Sequence, residues 1–182
     1  MIIPLLRNNK QIDGFQVAPR SRNDITVFSY KLRKLFKHEC IPKFPIKLID
    51  RYISENYDSK FYIAAESKQV MGDKEGLTIP KDHIIYLRED VFENLEDNNN
   101  RAAFTLAHEV GHFFLHANEL CDKEFQEGMP SYVNSEWQAN AFAADFLMPP
   151  WLLKDDMSTQ EISDLCGVSF EAASYQHDKY CN

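Results

Sequence analysis

The sequence predicts an α+β fold in which a small, mostly antiparallel sheet packs on helices. Residues 60–88 contain short runs of aromatic and apolar residues separated by glycine, aspartate and proline, which is typical of strands. The segments on either side carry apolar residues at spacings of three and four, which indicates helices that bury one face. At 182 residues and 21.2 kDa, the chain suits a single domain with at most a small extension.

Two helices are expected before the sheet. Ser21 to Asp24 can cap the first, which runs to about Lys37, and the second is expected at residues 46–55. The apolar residues expected to face inward from the first helix are Ile25, Phe28, Leu32, Leu35 and Phe36. The strands are then expected at residues 60–66, 69–72, 76–79 and 83–88, and a short helix follows at 90–95.

The strongest helical pattern lies at residues 101–116, RAAFTLAHEVGHFFLH. Apolar positions on one side face a polar stripe that contains three histidines, and the polar run 97–100 favours a helix start there. A second strong helix is expected at residues 135–148, and the two prolines that follow end it. The rest of the chain is expected to form a helical turn and two short helices, at residues 151–156, 158–165 and 169–177.

His108, Glu109 and His112 belong to an H-E-x-x-H motif within the predicted helix. One helical turn separates the two histidines, so both imidazoles can reach one metal ion, with Glu109 beside them to accept a proton. Gly111 inside this helix costs about 1 kcal/mol relative to alanine, which predicts a neighbouring element packed closely against it. A helix whose histidines only make hydrogen bonds is the alternative interpretation.

A catalytic zinc site needs a third protein ligand, commonly histidine or a carboxylate. His116 lies roughly 12 Å along the axis from His108, so one straight helix cannot bring both rings to one ion, and His116 is better placed to support a ligand or to pack. Glu136, near the start of the next strong helix, is the better candidate. Asn140 lies one turn along the same face, where its amide could hydrogen-bond to a ligand imidazole. Asp145, about half a circle round that helix from Glu136, should point away.

Two stretches, FTLAHEVGHFFLH and EWQANAFAADFLMP, resemble the ImmA/IrrE family of zinc metallopeptidases. That family carries H-E-x-G-H with a trailing L-H, then E-x-x-A-N-x-F-A-x-x-x-L-M-P, and the tail EISDLCGVSFEAASYQ is similar to its terminal helical pair. The resemblance covers about residues 76–177. The chain departs from the family pattern at Tyr175-Gln176, where the family usually has an Arg-Leu pair. The resemblance implies a zincin-like α+β fold. We expect a metallopeptidase domain with N-terminal helices at residues 1–150 and a C-terminal helical extension packed on it at 151–182, in one compact unit.

The motif and the resemblance together predict a zinc-dependent endopeptidase. His108, His112 and Glu136 would hold Zn²⁺, although manganese and iron suit the same ligands. Zinc would polarise a water molecule and the scissile carbonyl, while Glu109 would take the proton of the water and pass it to the leaving amine.

Two further elements of a peptidase site are only partly predictable. Tyr132, His116 and His177 are candidates for a second donor to the oxyanion, and the sequence does not rank them. The strand at residues 83–88 could align an extended substrate by strand addition.

The resemblance also implies the substrate, a helix-turn-helix repressor of the Xre type, often encoded beside the peptidase in a mobile element, phage or stress response. The alternative is a regulatory member of a toxin–antitoxin or phage immunity pair that acts by binding protein or DNA. Residues 161–175 can be read as a helix-turn-helix. Residues 155–182, however, hold one Lys and no Arg against six Asp and Glu, so direct nucleic-acid binding is not expected.

Composition favours a cytoplasmic protein with no membrane partner. The chain is 44% hydrophobic and 26% charged, and no run approaches the length of a membrane span. The apolar residues 2–6 are broken by a proline and lack a preceding basic region, so a signal peptide is not expected. The four cysteines are expected to be free thiols, with Cys121 a weaker candidate to approach the metal. Residues 1–51 hold 11 Lys and Arg against 4 Asp and Glu, which indicates a solvated basic face or, alternatively, a docking surface for an acidic partner or nucleic acid.

Overall fold

The computed structural model describes residues 14–97, 99–119 and 123–181. Within these residues, eight α-helices surround a three-stranded sheet, so the predicted α+β class is confirmed. In chain order the elements are α1 (Arg22–Leu35), α2 (Ile49–Asn56), β1 (Tyr62–Glu66), α3 (Lys68–Met71), β2 (Gly76–Ile79), β3 (Ile84–Arg88), α4 (Glu89–Glu96), α5 (Asn100–His116), α6 (Ser135–Leu147), α7 (Thr159–Cys166) and α8 (Phe170–Tyr180). Short 3-10 turns lie at Ile46–Leu48, Pro80–Asp82, Ser131–Val133 and Pro150–Leu152.

The sheet has the strand order β1-β3-β2. β2 and β3 form an antiparallel hairpin, whereas β1 pairs with β3 in parallel, with Tyr62 opposite Ile84. The prediction of a mostly antiparallel sheet is therefore wrong for one of the two strand pairs. The parallel pair arises because the chain reverses direction twice, once before β2 and once after it, before it reaches β3.

The strand expected at residues 69–72 is instead the short helix α3, Lys68–Met71. Gly72 follows it with φ +61°, and its N–H closes the turn onto the carbonyl of Lys68. A glycine at positive φ after an apolar run is the usual end of a helical turn, which explains why the strand assignment failed.

The first predicted helix is confirmed at its start and over most of its inner face. The Ser21 hydroxyl caps α1 by accepting from the backbone N–H of Asp24, and the Asp24 carboxylate accepts from the backbone N–H of Ser21. Leu32 and Phe36 are buried as expected, but Leu35 is 42% exposed. Each residue advances about 100° round a helix, so the position before Phe36 turns toward solvent.

Helices α5 and α6 pack closely and run antiparallel. A Cβ added at Gly111 would lie 3.0 Å from a ring carbon of Phe142 and 3.2 Å from the backbone of Ala139. The close neighbour that Gly111 predicts is therefore α6. This contact sets the spacing at which side chains of the two helices meet.

The C-terminal pair α7 and α8 joins the same hydrophobic core through buried residues such as Ile162, Cys166 and Ala173. Gly167, with φ +67°, makes the turn between the two helices. The division into residues 1–150 and 151–182 remains a prediction. Among the described residues, no helix is long and apolar enough to cross a membrane.

Candidate metal centre

The two motif histidines lie one turn apart on α5, as the spacing predicts. The helix begins after Asn99, whose side chain accepts hydrogen bonds from the backbone N–H groups of Arg101 and Ala102. The Nε2 atoms of His108 and His112 are 3.0 Å apart. Their side chains are 16% and 19% exposed, so the pair is largely buried but keeps some access to solvent.

Glu136, in the first turn of α6, meets both histidines. One carboxylate oxygen lies 3.1 Å from Nε2 of His108 and the other lies 3.3 Å from Nε2 of His112. Asn134 caps α6 by accepting the backbone N–H of Trp137, which fixes where this first turn starts. The structure thus brings together the three side chains that the sequence nominates as ligands.

These three side chains fit a tetrahedral zinc ion. Their donor atoms all lie within 4.8 Å of one another. Tetrahedral ligands at about 2.0–2.1 Å from zinc stand about 3.3 Å apart, close to the separations of His108, His112 and Glu136. Two imidazole nitrogens and a carboxylate also match the donor set of catalytic zinc sites, which leave a fourth position open.

The charges of the group support each other. Burial opposes the ionised form of Glu136, but hydrogen bonds and charge from the two histidines outweigh burial and hold the pKa of this carboxyl well below its ordinary value. Burial also opposes the cationic form of His108. Glu136 and Glu109 outweigh that effect and raise the pKa of His108. Both shifts favour the ionised form of Glu136 and the cationic form of His108, so the site favours positive charge at its centre.

The second ring nitrogen of each histidine is also occupied. Nδ1 of His108 lies 2.9 Å from the side-chain oxygen of Asn140, the contact expected one turn beyond Glu136. Nδ1 of His112 lies 3.1 Å from Nδ1 of His116. Both rings are thereby held with Nε2 directed at Glu136, which is how protein partners commonly orient metal-binding histidines.

Glu109 lies beside the group without belonging to it. It is 7% exposed, and the hydroxyl of Thr78 lies 2.7 Å from one carboxylate oxygen and 2.9 Å from the Glu109 backbone carbonyl. A Cβ added at Gly76 would come within 2.5–2.7 Å of the Glu109 side chain. Strand β2 therefore leaves room for Glu109 at Gly76 and holds it through Thr78.

The remaining candidates fall at different distances from the group. His116 is buried, and its Nε2 lies 3.1 Å from the side-chain oxygen of Gln138, so both ring nitrogens face protein partners. That arrangement fits a supporting role better than donation to an oxyanion. Burial, with a smaller contribution from His112, lowers the pKa of His116 to about 4. Tyr132 is 46% exposed and is connected to the site by its backbone carbonyl, which accepts from Gln138.

Asp145 lies on the opposite side of α6. It is fully buried and contacts Gln176 of α8, so the expectation that Asp145 points away from Glu136 is confirmed. His177 lies on α8, where its Nδ1 is 3.5 Å from a carboxylate oxygen of Asp178, and its role as an oxyanion donor stays a prediction. Cys121 lies outside the described residues.

Sequence reasoning missed four contributors to the site: Gln138, Thr78, Gly76 and Gly14. A Cβ added at Gly14 would lie 3.0 Å from Cγ of Glu136. The one signal in the sequence is Gln138, a glutamine among the apolar positions of the helix that carries the third ligand. The glycines and the threonine reach the site from other parts of the chain, so local patterns do not reveal them.

Comparison with family models matches residues 62–177 to Peptidase_M78, the IrrE N-terminal-like domain. No curated protein matches the chain. The matched region holds the complete group of His108, Glu109, His112 and Glu136 and spans more than half of the 182 residues. The chain therefore belongs to the Peptidase_M78 family, as the resemblance of its motifs predicts.

Proposed function

We propose that this protein is a zinc-dependent endopeptidase. The observation that carries the proposal is the convergence of His108, His112 and Glu136, with Glu109 on the same helix beside them. Membership of a peptidase family supports the reaction class. Zinc is favoured because two imidazoles and one carboxylate are a usual set of protein ligands for catalytic zinc, which keeps its fourth position for water or substrate.

The chemistry divides between the ion and the protein. Bound zinc would supply Lewis acidity toward the attacking water and the scissile carbonyl. Glu109 accepts the proton of that water and delivers it to the leaving amine, since its carboxylate lies beside the ligands without being one of them. Thr78 restrains Glu109 through a hydrogen bond. Position 76 is a glycine, so it has no Cβ that would displace the Glu109 side chain.

The substrate lies along β2 in this proposal. The expected strand at residues 83–88 cannot take an added strand, because β3 is the central strand and is paired on both sides. The N–H of Arg88 bonds to the carbonyl of Glu75, so the alternation of antiparallel pairing turns the peptide groups of Gly76 and Thr78 away from β3. Gly76 borders a cleft of about 290 Å³ that is also lined by His108 and Glu109.

The proposed substrate is a helix-turn-helix repressor of the Xre type with an exposed segment, and its cleavage would relieve repression in a mobile element, phage or stress response. The family resemblance supports this choice. Such a substrate places the enzyme in the cytoplasm, where repressors act. Cleavage requires an extended segment of about the length of β2, because strand addition uses main-chain hydrogen bonds.

The test compares wild type, Glu109→Gln and Glu96→Gln, a matched loss of charge at an exposed position on α4. We expect about one zinc per chain in all three proteins. Glu109→Gln should lose about 10²–10⁴-fold in peptidase rate, because it removes the general base but no ligand. Rates are measured on a mixed peptide library and on the repressor encoded beside the peptidase gene.

The two substrates separate two kinds of failure. Cleavage of the library without cleavage of the repressor would refute the proposed substrate but would support the peptidase activity. Equal rates in Glu109→Gln and Glu96→Gln would refute the role of Glu109, and a wild type that binds no metal would refute the metalloenzyme.

A further inference from the structure

Gln138 has a fixed side-chain orientation. It is fully buried on α6, and its amide nitrogen lies 2.8 Å from the carbonyl of Ala18 and 2.8 Å from the carbonyl of Tyr132. A backbone carbonyl can only accept hydrogen bonds, so both contacts require the NH₂ group. The amide oxygen of Gln138 must therefore be the atom that faces His116.

That orientation determines where His116 carries its proton. Nε2 of His116 lies 3.1 Å from the Gln138 oxygen, which can only accept, so Nε2 is the protonated nitrogen. In a neutral imidazole the other nitrogen then has a lone pair. Nδ1 of His116 is consequently an acceptor toward Nδ1 of His112.

The same reasoning reaches the ligand. The two Nδ1 atoms are 3.1 Å apart, and a hydrogen bond between two nitrogens needs one donor and one acceptor. Because His116 accepts, His112 donates from Nδ1, and in the neutral ring its Nε2 keeps the lone pair that a metal ion needs. Nε2 is the atom that lies 3.3 Å from Glu136 and 3.0 Å from Nε2 of His108.

We propose that Gln138 is a positioning residue which, through His116, sets the tautomer of His112 so that Nε2 is free to bind a metal ion. The inference rests on the metal site of the proposed function. Every hydrogen bond in the chain donates in the same sense, from His112 to His116, from His116 to the Gln138 oxygen, and from the Gln138 amide nitrogen to two backbone carbonyls. Ala18 belongs to the segment before α1 and Tyr132 to the turn before α6, so two separate parts of the chain hold the amide in place.

The two ligand histidines are therefore supported differently. His108 meets an amide oxygen directly, at Asn140. His112 meets a second histidine, which has no fixed direction of its own because either nitrogen can carry the proton. Gln138 supplies the direction that His116 lacks. A buried glutamine and a buried histidine are costly in a core unless they are paired, and this pairing accounts for both.

The first test uses NMR of the imidazole nitrogens in metal-free protein, which distinguishes the two tautomers of each ring. In wild type we expect His116 protonated at Nε2 and His112 protonated at Nδ1. Gln138→Met removes the acceptor and both donors with little change of size. In this variant we expect His112 to gain the form protonated at Nε2. Wild-type rings with the opposite tautomers, or an unchanged His112 in Gln138→Met, would overturn the proposal.

The second test measures zinc affinity by competition with a chelator. Gln138→Met and His116→Leu should bind zinc about 10–100-fold more weakly, the usual effect of losing a partner of a ligand histidine. His116→Asn should stay closer to wild type, because its side-chain oxygen can take the place of Nδ1 and accept from His112. Both His116 variants lose the contact with Gln138, so the difference between them isolates the acceptor.

Gln176→Met is the matched control for a lost buried amide. Gln176 is also fully buried, and it donates to Asp145 and to the carbonyl of Met148 on the far side of α6. The variant Gln176→Met should lower the free energy of unfolding, as Gln138→Met should, but it should leave zinc affinity unchanged. Equal loss of zinc affinity in Gln176→Met and Gln138→Met, or in His116→Asn and His116→Leu, would reduce Gln138 to a structural role. If wild type bound no zinc, the proposed function would fail while the tautomer measurement still decided the orientation.

Discussion

Helix α6 carries polar side chains on two opposite faces, and the two clusters that they form have different kinds of partner. On one face, Glu136 meets the motif histidines. On the other, Asp145 is fully buried and is contacted by Arg22, Thr26 and Gln176. Asp145 thus has a guanidinium, a hydroxyl and an amide directed at its two oxygens.

The difference indicates what each cluster serves. At Asp145, every close partner is a donor, so the negative charge is balanced by the protein, and three helices are tied together. At Glu136, two imidazoles and a carboxylate direct acceptor-type atoms at a common point within 4.8 Å. Acceptors that face each other need protons or a cation between them, whereas a matched donor and acceptor do not. Facing acceptors therefore distinguish a binding site from a structural cluster.

Removing each carboxylate should separate the two roles. Glu136→Ala should weaken zinc binding by more than the roughly 10–100-fold that loss of a supporting hydrogen bond costs, because it removes a ligand. Asp145→Ala should lower the free energy of unfolding by about 3–5 kcal/mol, because it leaves the largely buried Arg22 charge without its partner. Chelator competition and chemical denaturation measure the two effects.

The crossed result would contradict this division. If Asp145→Ala lost zinc while still folded and Glu136→Ala kept it, the third ligand would be wrongly assigned. Zinc affinity is therefore measured for Asp145→Ala under conditions where far-ultraviolet circular dichroism shows a folded protein.

The difference between the two clusters also explains what the sequence could reveal. His108, His112, Glu136 and Asn140 lie on two helices whose periodicity is strong, so helix geometry was enough to nominate them as parts of one site. The position of Asp145 followed from the same periodicity. Its partners did not, because Arg22 lies 123 positions away and its contact depends on how α1 packs.

The sheet shows the same limit. Hydrophobic patterns located β1, β2 and β3 correctly but gave no information on which strands pair. The parallel pairing of β1 with β3, and the place of β2 at the edge beside α5, depend on tertiary packing. From the sequence, Gly76 therefore indicates only the boundary of a strand, although it lies against Glu109, the proposed general base.

Gly76→Ala should test whether β2 positions Glu109. The new Cβ would lie 2.5–2.7 Å from the Glu109 side chain, so this carboxylate must move. Displacement by about 1 Å can cost about 100-fold in rate, so we expect a loss of that order in peptidase activity with zinc affinity retained. Leu77→Ala is the control, because successive side chains of a strand point to opposite faces of the sheet. Similar activity in Gly76→Ala and wild type would show that Glu109 does not depend on β2.

The smallest expected effect concerns Gly14, where the chain passes against Glu136. Gly14 has φ +119°, and an added Cβ would lie 2.9–3.0 Å from Asn134 and Glu136. Gly128 has φ +90°, and an added Cβ there would meet nothing within 4 Å. Alanine at either position imposes backbone strain of about 1–3 kcal/mol, but only Gly14→Ala also pushes on the third ligand.

We therefore expect Gly14→Ala and Gly128→Ala to lower the free energy of unfolding by comparable amounts, and only Gly14→Ala to weaken zinc binding. The loss should be smaller than in Glu136→Ala, because the carboxylate is shifted and not removed. Denaturation of metal-free protein gives the strain, and chelator competition gives the affinity. If both variants weaken zinc binding equally, the loss comes from backbone strain in general and not from the contact of position 14 with Glu136. If neither does, Glu136 tolerates displacement, and the segment before α1 does not help to position the ligand.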